Sequence, residues 1–428
     1  MVDVSLQFRS LIGLFVLAGI AWLLGPRKRV PLVLLIGAIG LQLGLTWLLY
    51  SAPPFRAFLS SLTGFVAVLQ QVTDEGAQFV FGYLAGAGAP WIPNPDAAPG
   101  AAFLFAFQAL PMVIVLSALS ALLWRWRVLE VLVRAFAFIF QRILNLSGAA
   151  SLGAAANIFL GMTESPVLIR PRLPDMSRSD LFLIMTVGFS TVAGSVMAIY
   201  VGFLNDVIED AAGHIFTASL ISIPAAVLLA RLMMPPEGEA GEAPSREKIP
   251  QTIYQSSMDA LTTGVSDGMR LYFNIIFMLL VFTSLVALVN VMLGLFPDFS
   301  GEPLSVDRIL GWIFAPIVWI AGVPWSEAND AGALMGLKTA LNELIAYSRL
   351  SEVADDLSPR TALIMTYAIC GFANFSSIGI LTGGLVAIAP SRREDILKLA
   401  PRALISGTLA TLMTGAAVGT MPMSMFGL

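Results

Sequence analysis

Runs of about 20 apolar residues recur along the whole of this 428-residue chain. A helix of that length crosses the hydrocarbon core of a bilayer. Only 12% of the residues are charged, against about 25% in soluble domains, so the chain cannot cover itself with a water-facing surface. We therefore predict an all-α polytopic membrane protein. Eight runs predict transmembrane helices: residues 11–25, 30–50, 103–124, 181–203, 213–234, 271–296, 361–387 and 399–426.

Two further apolar segments, residues 147–171 and 322–350, are interrupted near their middle by charged residues, glycine and proline. A helix that meets such breakers turns back, and free backbone at membrane depth is tolerated only inside protein or beside a wet cavity. Both segments are therefore predicted to form re-entrant helical hairpins. Amphipathic stretches predict interfacial helices at residues 54–85, 127–146 and 305–321.

Lysine and arginine fall on one side of the predicted membrane topology. Eight spans place every basic cluster on the same side, whereas the loops at residues 91–100 and 204–212 contain no lysine or arginine. Cytoplasmic loops are enriched in these residues, so both termini are predicted to be periplasmic in a bacterial inner (plasma) membrane. The sequence has no basic tract of the kind that binds nucleic acid, so no nucleic-acid polymer is predicted as a partner. The basic clusters are residues 26–29, 124–142, 170–180, 231–248 and 391–395.

The two halves of the chain carry an internal repeat. The motif LIMT occurs at residues 183–186 and again at 363–366, and Glu164 and Glu343 precede the two copies at nearly the same distance. A run rich in small residues follows each copy. The first hairpin starts from the basic side and the second from the opposite side, so the repeats are inverted across the membrane. Inverted repeats with broken helices are typical of secondary transporters, whose site lies between the repeats.

Glu164 and Glu343 are the strongest candidates for chemistry. A charge at the bilayer centre costs at least ~2.5 kcal/mol, so an ionisable residue there indicates function. Two carboxylates at hairpin tips suit the hydroxyl and amine donors of a polar, uncharged substrate, and equally a cation or a proton. The structural alternative is an ion pair, for which Lys338 is near Glu343 in sequence. The single histidine, His214, is predicted to lie at a helix end near the headgroups.

Polar residues of a second kind surround the same breaks. Sodium prefers oxygen ligands, and an amide, a hydroxyl and a few unwound carbonyls suffice to bind it. For a single serine or threonine, a hydroxyl bonded back to its own helix is the commoner alternative. Asparagine in a membrane helix needs a partner or a cavity. The candidates are Asn157, Thr163, Thr191, Asn374, Ser376 and Ser377.

Five stretches make the chain resemble the concentrative nucleoside transporters. The resemblance implies a homotrimer of eight-span protomers that import nucleosides. Each protomer would have a scaffold part at the trimer axis and a transport part, containing both hairpins, that moves as an elevator. The stretches are FAFQALP (105–111), GMTESPVLIRP (161–171), GVPWSEA (322–328), LNELIAY (341–347) and CGFANFSSIGIL (370–381).

The resemblance also divides the chain. Residues 1–100 would form N-terminal scaffold helices and an interfacial helix, and residues 101–234 the third span, the first hairpin and spans four and five. A Pro-, Gly- and Glu-rich stretch at 235–250 is predicted to be a cytoplasmic linker. Residues 251–300 would add the sixth span to the scaffold. Residues 301–428 would form the second hairpin and spans seven and eight.

The resemblance implies a nucleoside site between the hairpins and a sodium site at the first of them. The nucleoside site would take the nucleobase on Met162, Thr163 and Glu164, the ribose hydroxyls on Glu343, Asn374 and Ser377, and pocket walls from Val196 and Phe372. The sodium site would take the side chains of Asn157 and Thr191 and the carbonyl groups of Leu160, Thr191 and Val192.

Two departures from the family motif leave alternatives open. Met162 stands where glutamine is common, and a thioether lacks the strong hydrogen bonds of an amide, so purine or pyrimidine preference stays open. Thr191 keeps a hydroxyl where serine is usual, which favours sodium, with proton coupling as the alternative. A non-transporting membrane receptor or gate is an alternative of another class. No constellation of nucleophile and base predicts catalytic residues, and no cofactor besides the coupling ion is predicted.

Overall fold

The computed structural model describes residues 2–88, 90, 103–205, 207–236, 254–299, 301 and 303–428, and these residues form an all-helical protein. Most of the predicted linker at 235–250 lies outside them. The α-helices within the described residues are α1 (Val2–Leu24), α2 (Leu32–Ser51), α3 (Pro53–Phe81), α4 (Phe105–Gln108), α5 (Pro111–Arg125), α6 (Val128–Leu144), α7 (Gly148–Leu160), α8 (Ser165–Leu168), α9 (Arg178–Ser190), α10 (Gly194–Leu204), α11 (Ala211–Met233), α12 (Ser257–Leu293), α13 (Val306–Ala321), α14 (Ala328–Ala340), α15 (Glu343–Val353), α16 (Pro359–Ile369), α17 (Phe375–Ile388) and α18 (Arg393–Gly419).

Both predicted hairpins are pairs of helices joined by a short break. The first is α7 followed by α8, and the second is α14 followed by α15. Gly161 ends α7 with a φ of 81°, in the left-handed region that glycine enters at no steric cost. Asn342 starts α15 by accepting a 3.0 Å hydrogen bond from the Ile345 amide, as an N-cap does. Re-entry of either pair into the membrane stays a prediction.

Predicted spans four and seven are not continuous helices. Span four is divided into α9 and α10, and span seven into α16 and α17. Asn374 caps α17 by accepting a 2.8 Å hydrogen bond from the Ser377 amide, and Gly371 has a φ of 139°. The small residues that follow each LIMT motif therefore mark helix breaks. The prediction of two continuous spans missed these breaks.

Within the described residues, eight helical segments are long and apolar enough to cross a membrane, which agrees with a multi-pass membrane protein. Their identities differ from the prediction in two places. The seventh predicted span is absent from this set because α17 is too short by itself. The segment Pro53–Ala85 is included, although its mean hydropathy of 1.2 is the lowest of the eight.

The segment predicted to lie in the interface forms the long helix α3. Its buried residues, Leu59, Val66, Thr73 and Ala77, follow one narrow stripe, as expected for a helix that contacts protein on one side only. Length and hydropathy alone allow α3 to span or to lie in the interface. Its interfacial placement stays a prediction, as do those of α6 and α13.

His214 lies at a helix end, as predicted, and its placement near the headgroups stays a prediction. It is 1% exposed and lies in the first turn of α11. Its Nδ1 is 2.9 Å from the hydroxyl oxygens of both Tyr50 and Tyr367, which are themselves 3.0 Å apart. The histidine is therefore part of a buried polar cluster that joins α2, α11 and α16. The sequence did not indicate this cluster because both partners are distant in the chain.

The helices pack in two groups. Helix α12 packs along α5, while α9, α11, α16 and α18 contact one another around a buried centre. Helices α1 and α2 lie against α11 and α18, whereas the resemblance places residues 1–100 in the scaffold. The division into scaffold and transport parts stays a prediction.

Close contact of α5 and α12 depends on two glycines. A Cβ atom at Gly264 would lie 2.7 Å from Ala118 Cα, and one at Gly268 would lie 2.7 Å from Ile114 Cα. Both distances are shorter than van der Waals contact, so a side chain would force the helices apart. Small residues that allow backbones to approach are typical of helix pairs in membranes.

Gly268→Ala is expected to destabilise the protein by about 1–3 kcal/mol, the usual cost of overpacking. The thermal transition of the purified protein in detergent would measure this loss. Gly40→Ala is the matched control, because a Cβ atom at Gly40 meets nothing within 4 Å. Equal transition temperatures for the two variants would show that the α5–α12 contact does not depend on Gly268.

Candidate substrate and cation site

Glu343 is the centre of a buried polar cluster. It is the first residue of α15 and is 5% exposed. One carboxylate oxygen accepts a 2.7 Å hydrogen bond from the Tyr200 hydroxyl, and the other accepts a 2.8 Å hydrogen bond from the amide Nδ2 of Asn374. A carboxylate has about four lone-pair positions. These two contacts therefore leave acceptor capacity for further donors.

The direction of the Asn374 amide is fixed by its own partners. Its Oδ1 accepts hydrogen bonds from the Ser377 amide at 2.8 Å and from the Ser376 hydroxyl at 2.7 Å. The NH₂ group must therefore face Glu343. Asn374 joins the start of α17 to the start of α15, so one side chain links the second hairpin to the break in predicted span seven.

Two tyrosines that the sequence did not predict support this cluster. Tyr200 and Tyr347 are fully buried, with ring centroids 4.9 Å apart. The Tyr347 hydroxyl donates to the Thr366 carbonyl over 2.7 Å. Both tyrosines are polar aromatics within apolar helices, which was the available signal, but neither belongs to a break. Lys338, the ion-pair partner under the structural alternative, instead donates to the Ala368 carbonyl and the Thr411 hydroxyl.

The breaks in predicted spans four and seven meet. The Phe372 amide donates a 3.4 Å hydrogen bond to the Thr191 carbonyl, and a Cβ atom at Gly371 would lie 2.9 Å from the Ser190 backbone. Val196 is buried in the first turn of α10, and Phe372 is half-buried. This crossing therefore brings predicted nucleoside and sodium residues to one place in the fold.

The tip of the first hairpin packs against the same two spans. A Cβ atom at Gly188 of α9 would lie 3.0 Å from Met162 Cβ, and one at Gly384 of α17 would lie 3.4 Å from Thr163 Cγ2. A Cβ atom at Gly161 would lie 2.7 Å from Ala193 Cβ, beside the break in predicted span four. Met162 is 6% exposed.

Glu164 has surroundings unlike those of Glu343. It is half-buried, and it interacts electrostatically with Asp267 of α12 and with Tyr254. Glu343 has Tyr200 and Asn374 as its direct partners. The predicted pairing of the two glutamates across one site stays a prediction.

Two of the residues predicted to bind sodium, Thr191 and Val192, directly follow α9, and the end of α7 packs beside the same break. Asn157 Oδ1 accepts a 3.2 Å hydrogen bond from Ser165 and so joins α7 to α8. The Thr191 hydroxyl donates to the Val187 carbonyl over 2.9 Å, which leaves its lone pairs available. The Val192 carbonyl is 3.5 Å from the Ser219 hydroxyl, a neighbour that the sequence did not indicate. Leu160 is the last residue of α7.

This set of groups fits a sodium ion. Every proposed ligand atom is an oxygen from an amide, a hydroxyl or a carbonyl, and the C-terminal end of a half-helix adds partial negative charge. A cavity of about 830 Å³ elsewhere is lined by residues of the basic side, including Lys28, Arg29 and Arg231, and not by these ligands.

An all-helical polytopic protein with two related halves, broken helices and a buried polar site has the architecture of a membrane transporter. Three family models match: the N-terminal part of a Na⁺-dependent nucleoside transporter over residues 12–84, nucleoside recognition over residues 106–207, and the C-terminal part of a Na⁺-dependent nucleoside transporter over residues 214–419. The chain belongs to the concentrative nucleoside transporter family.

Similar proteins match along almost their full length. The nucleoside permease NupC of Helicobacter pylori is 34% identical, over 96% of each chain. The structure of CNTnw in an inward-facing, substrate-bound state is 34% identical, covers 97% of each chain and has a TM-score of 0.86. A doubly substituted CNTnw in an outward-facing state is 33% identical, with the same coverage and a TM-score of 0.87. The chain is thus a transporter and not an enzyme.

Proposed function

We propose that this protein is a sodium-coupled symporter that imports nucleosides. The observation that carries the proposal is the buried carboxylate of Glu343, oriented by Tyr200 and Asn374 beside the crossing of two helix breaks. Ribose presents vicinal hydroxyl donors, and a desolvated carboxylate with free lone pairs accepts them well. The Ser377 hydroxyl, at the start of α17, completes the ribose side of the proposed site.

The nucleobase is proposed to lie toward the tip of the first hairpin, against Met162, Thr163 and Glu164. Val196 and Phe372 would form apolar walls between the base and the ribose. The sodium ion is proposed to bind Asn157, Thr191 and the carbonyl groups at the end of α9, next to the same tip. Proximity of ion and base gives a physical reason for coupling, because each ligand would order the hairpin that the other contacts.

The proposed movement is an elevator in which the helices around α9, α11, α16 and α18 slide along the α5–α12 pair. Relatives of this fold have been solved as CNTnw in both inward-facing and outward-facing states, which supports a cycle of alternating access. We further propose a homotrimer in a bacterial inner membrane with both termini periplasmic. Cross-linking in native membranes and cysteine labelling of the termini would test these two points.

Uptake into liposomes by the purified protein tests the function. Labelled uridine or adenosine is expected to accumulate faster under an inward sodium gradient than under an equal potassium gradient. Accumulation driven only by a pH gradient would show that the coupling ion is a proton and not sodium. Nucleoside binding without accumulation under either gradient would instead support a receptor or gate.

Met162→Gln is expected to change the ratio of uridine to adenosine uptake by roughly tenfold, because an amide adds a donor and an acceptor where a thioether has neither. The ratio of KM values for the two nucleosides in one preparation measures this change. Because it is a ratio, a difference in the amount of folded protein cancels. An unchanged ratio would place the nucleobase away from Met162.

A further inference from the structure

Lys338 is a fully buried cation in the last turn of α14. Its ammonium group donates to the Ala368 carbonyl over 2.9 Å and to the Thr411 hydroxyl oxygen over 2.7 Å. The Thr411 hydroxyl itself donates to the Thr408 carbonyl, so its oxygen is left as an acceptor for lysine. A buried ammonium group needs acceptors for its donors, and these two oxygens accept two of its three N–H groups. The fold therefore supplies an oxygen-lined site for this side chain.

The position of Lys338 repeats that of the proposed sodium site. In the first half of the chain, Asn157 is in the last turn of α7, and the end of this helix packs beside the break that follows the half-helix α9. In the second half, Lys338 in the last turn of α14 contacts Ala368, in the last turn of the half-helix α16. Helix α7 packs on α9 as α14 packs on α16. Both half-helix ends carry partial negative charge that favours a cation.

The ammonium group is also within electrostatic range of the Glu343 carboxylate. Lys338 interacts electrostatically with Glu343, while Tyr200 and Asn374 make the direct hydrogen bonds to that carboxylate. We propose that Lys338 is a tethered cation, which occupies in the second repeat the place of the transported cation in the first. It would thereby limit the carrier to a single coupling cation. This inference rests on the proposed sodium-coupled transport of nucleosides.

Two substitutions at Lys338 separate a charge role from a packing role. Lys338→Ala removes the charge and opens space lined by the oxygens of Ala368 and Thr411. A sodium ion from solution is then expected to enter, so the slope of log Kd for nucleoside against log sodium concentration steepens by about one. Lys338→Met removes the charge but fills the space. Nucleoside affinity is then expected to fall roughly tenfold or more at every sodium concentration.

The measurement is equilibrium binding of labelled uridine or adenosine to purified protein over a range of sodium concentrations. A packing role predicts the reverse ranking, with Lys338→Met close to normal and Lys338→Ala impaired without a change in slope. Either of those results would overturn the proposal. If Lys338→Ala shows no thermal transition, Lys338→Met alone decides, because unchanged affinity in a folded methionine variant contradicts a charge role.

The control is Lys398→Met, which removes an exposed lysine paired with Glu394 and is expected to leave binding unchanged. Failure of the proposed function is visible separately in the unsubstituted protein. If log Kd for nucleoside does not change with log sodium concentration in that protein, sodium coupling is rejected. Loss of nucleoside affinity in Lys338→Met would still show that the charge of Lys338 supports binding.

Discussion

Replacing Glu343 by glutamine is expected to lower nucleoside uptake by about a hundredfold or more in a protein that still folds. Tyr200 and Asn374 both donate hydrogen bonds to the carboxylate. With the glutamine oxygen toward the Asn374 NH₂ group, the glutamine NH₂ group would face Tyr200, whose hydroxyl would have to accept instead of donate. The charge and the free lone pairs of the carboxylate would be lost. Hydrogen bonds to a charged group contribute about 1.5–3 kcal/mol each, and ~1.4 kcal/mol corresponds to tenfold in rate. Loss of two such hydrogen bonds between the Glu343 carboxylate and the ribose hydroxyls accounts for the expected decrease in uptake.

Uptake of labelled uridine into liposomes measures this effect, and the thermal transition in detergent reports folding. Glu352→Gln is the control in the same helix, because Glu352 is exposed and paired with Arg349. It is expected to transport normally. Normal uptake by Glu343→Gln would show that the ribose does not bind this carboxylate.

The helices of membrane-spanning length and the breaks within the two hairpin segments could be predicted because their signals are local. Apolar length, breakers and capping residues act within a few neighbours in the chain, as Asn342 does at the start of α15. The repeat was visible for the same reason, since LIMT precedes a break in each half. The breaks within predicted spans four and seven were missed because the hydropathy of a window averages over glycine and serine. Hydropathy also does not record the hydrogen bond from the Phe372 amide to the Thr191 carbonyl.

The partners of buried polar groups could not be predicted from sequence distance. Lys338 is five residues from Glu343 along the chain, yet the break before α15 separates them and directs the ammonium group to α16 and α18. Tyr200 is far from Glu343 in sequence and donates to it directly. The partners of His214 were missed for the same reason, since Tyr50 and Tyr367 come from other helices. Polar residues in a membrane protein must be paired, but the pairing depends on the tertiary packing.

Replacing Thr191 by valine is expected to abolish most of the sodium stimulation of uptake. Valine has nearly the same shape as threonine and lacks the hydroxyl oxygen. That hydroxyl donates to the Val187 carbonyl, so its lone pairs remain for a cation beside the carbonyl groups at the end of α9. Because a sodium site here has few ligands, loss of one is expected to raise the half-saturating sodium concentration roughly tenfold or more.

Thr191→Ser keeps the oxygen and is expected to retain sodium dependence close to that of the unsubstituted protein. Thr366→Val controls for removing a buried hydroxyl, because the Thr366 hydroxyl also bonds back to its own helix, at the Ala362 carbonyl. Uptake is measured against sodium concentration at a fixed, saturating nucleoside concentration. If Thr191→Val and Thr366→Val respond to sodium alike, the ion binds elsewhere. If Thr191→Ser preserves the sodium dependence of uptake and Thr191→Val removes it, the Thr191 oxygen is a ligand of the ion. Serine keeps this oxygen, whereas valine lacks it.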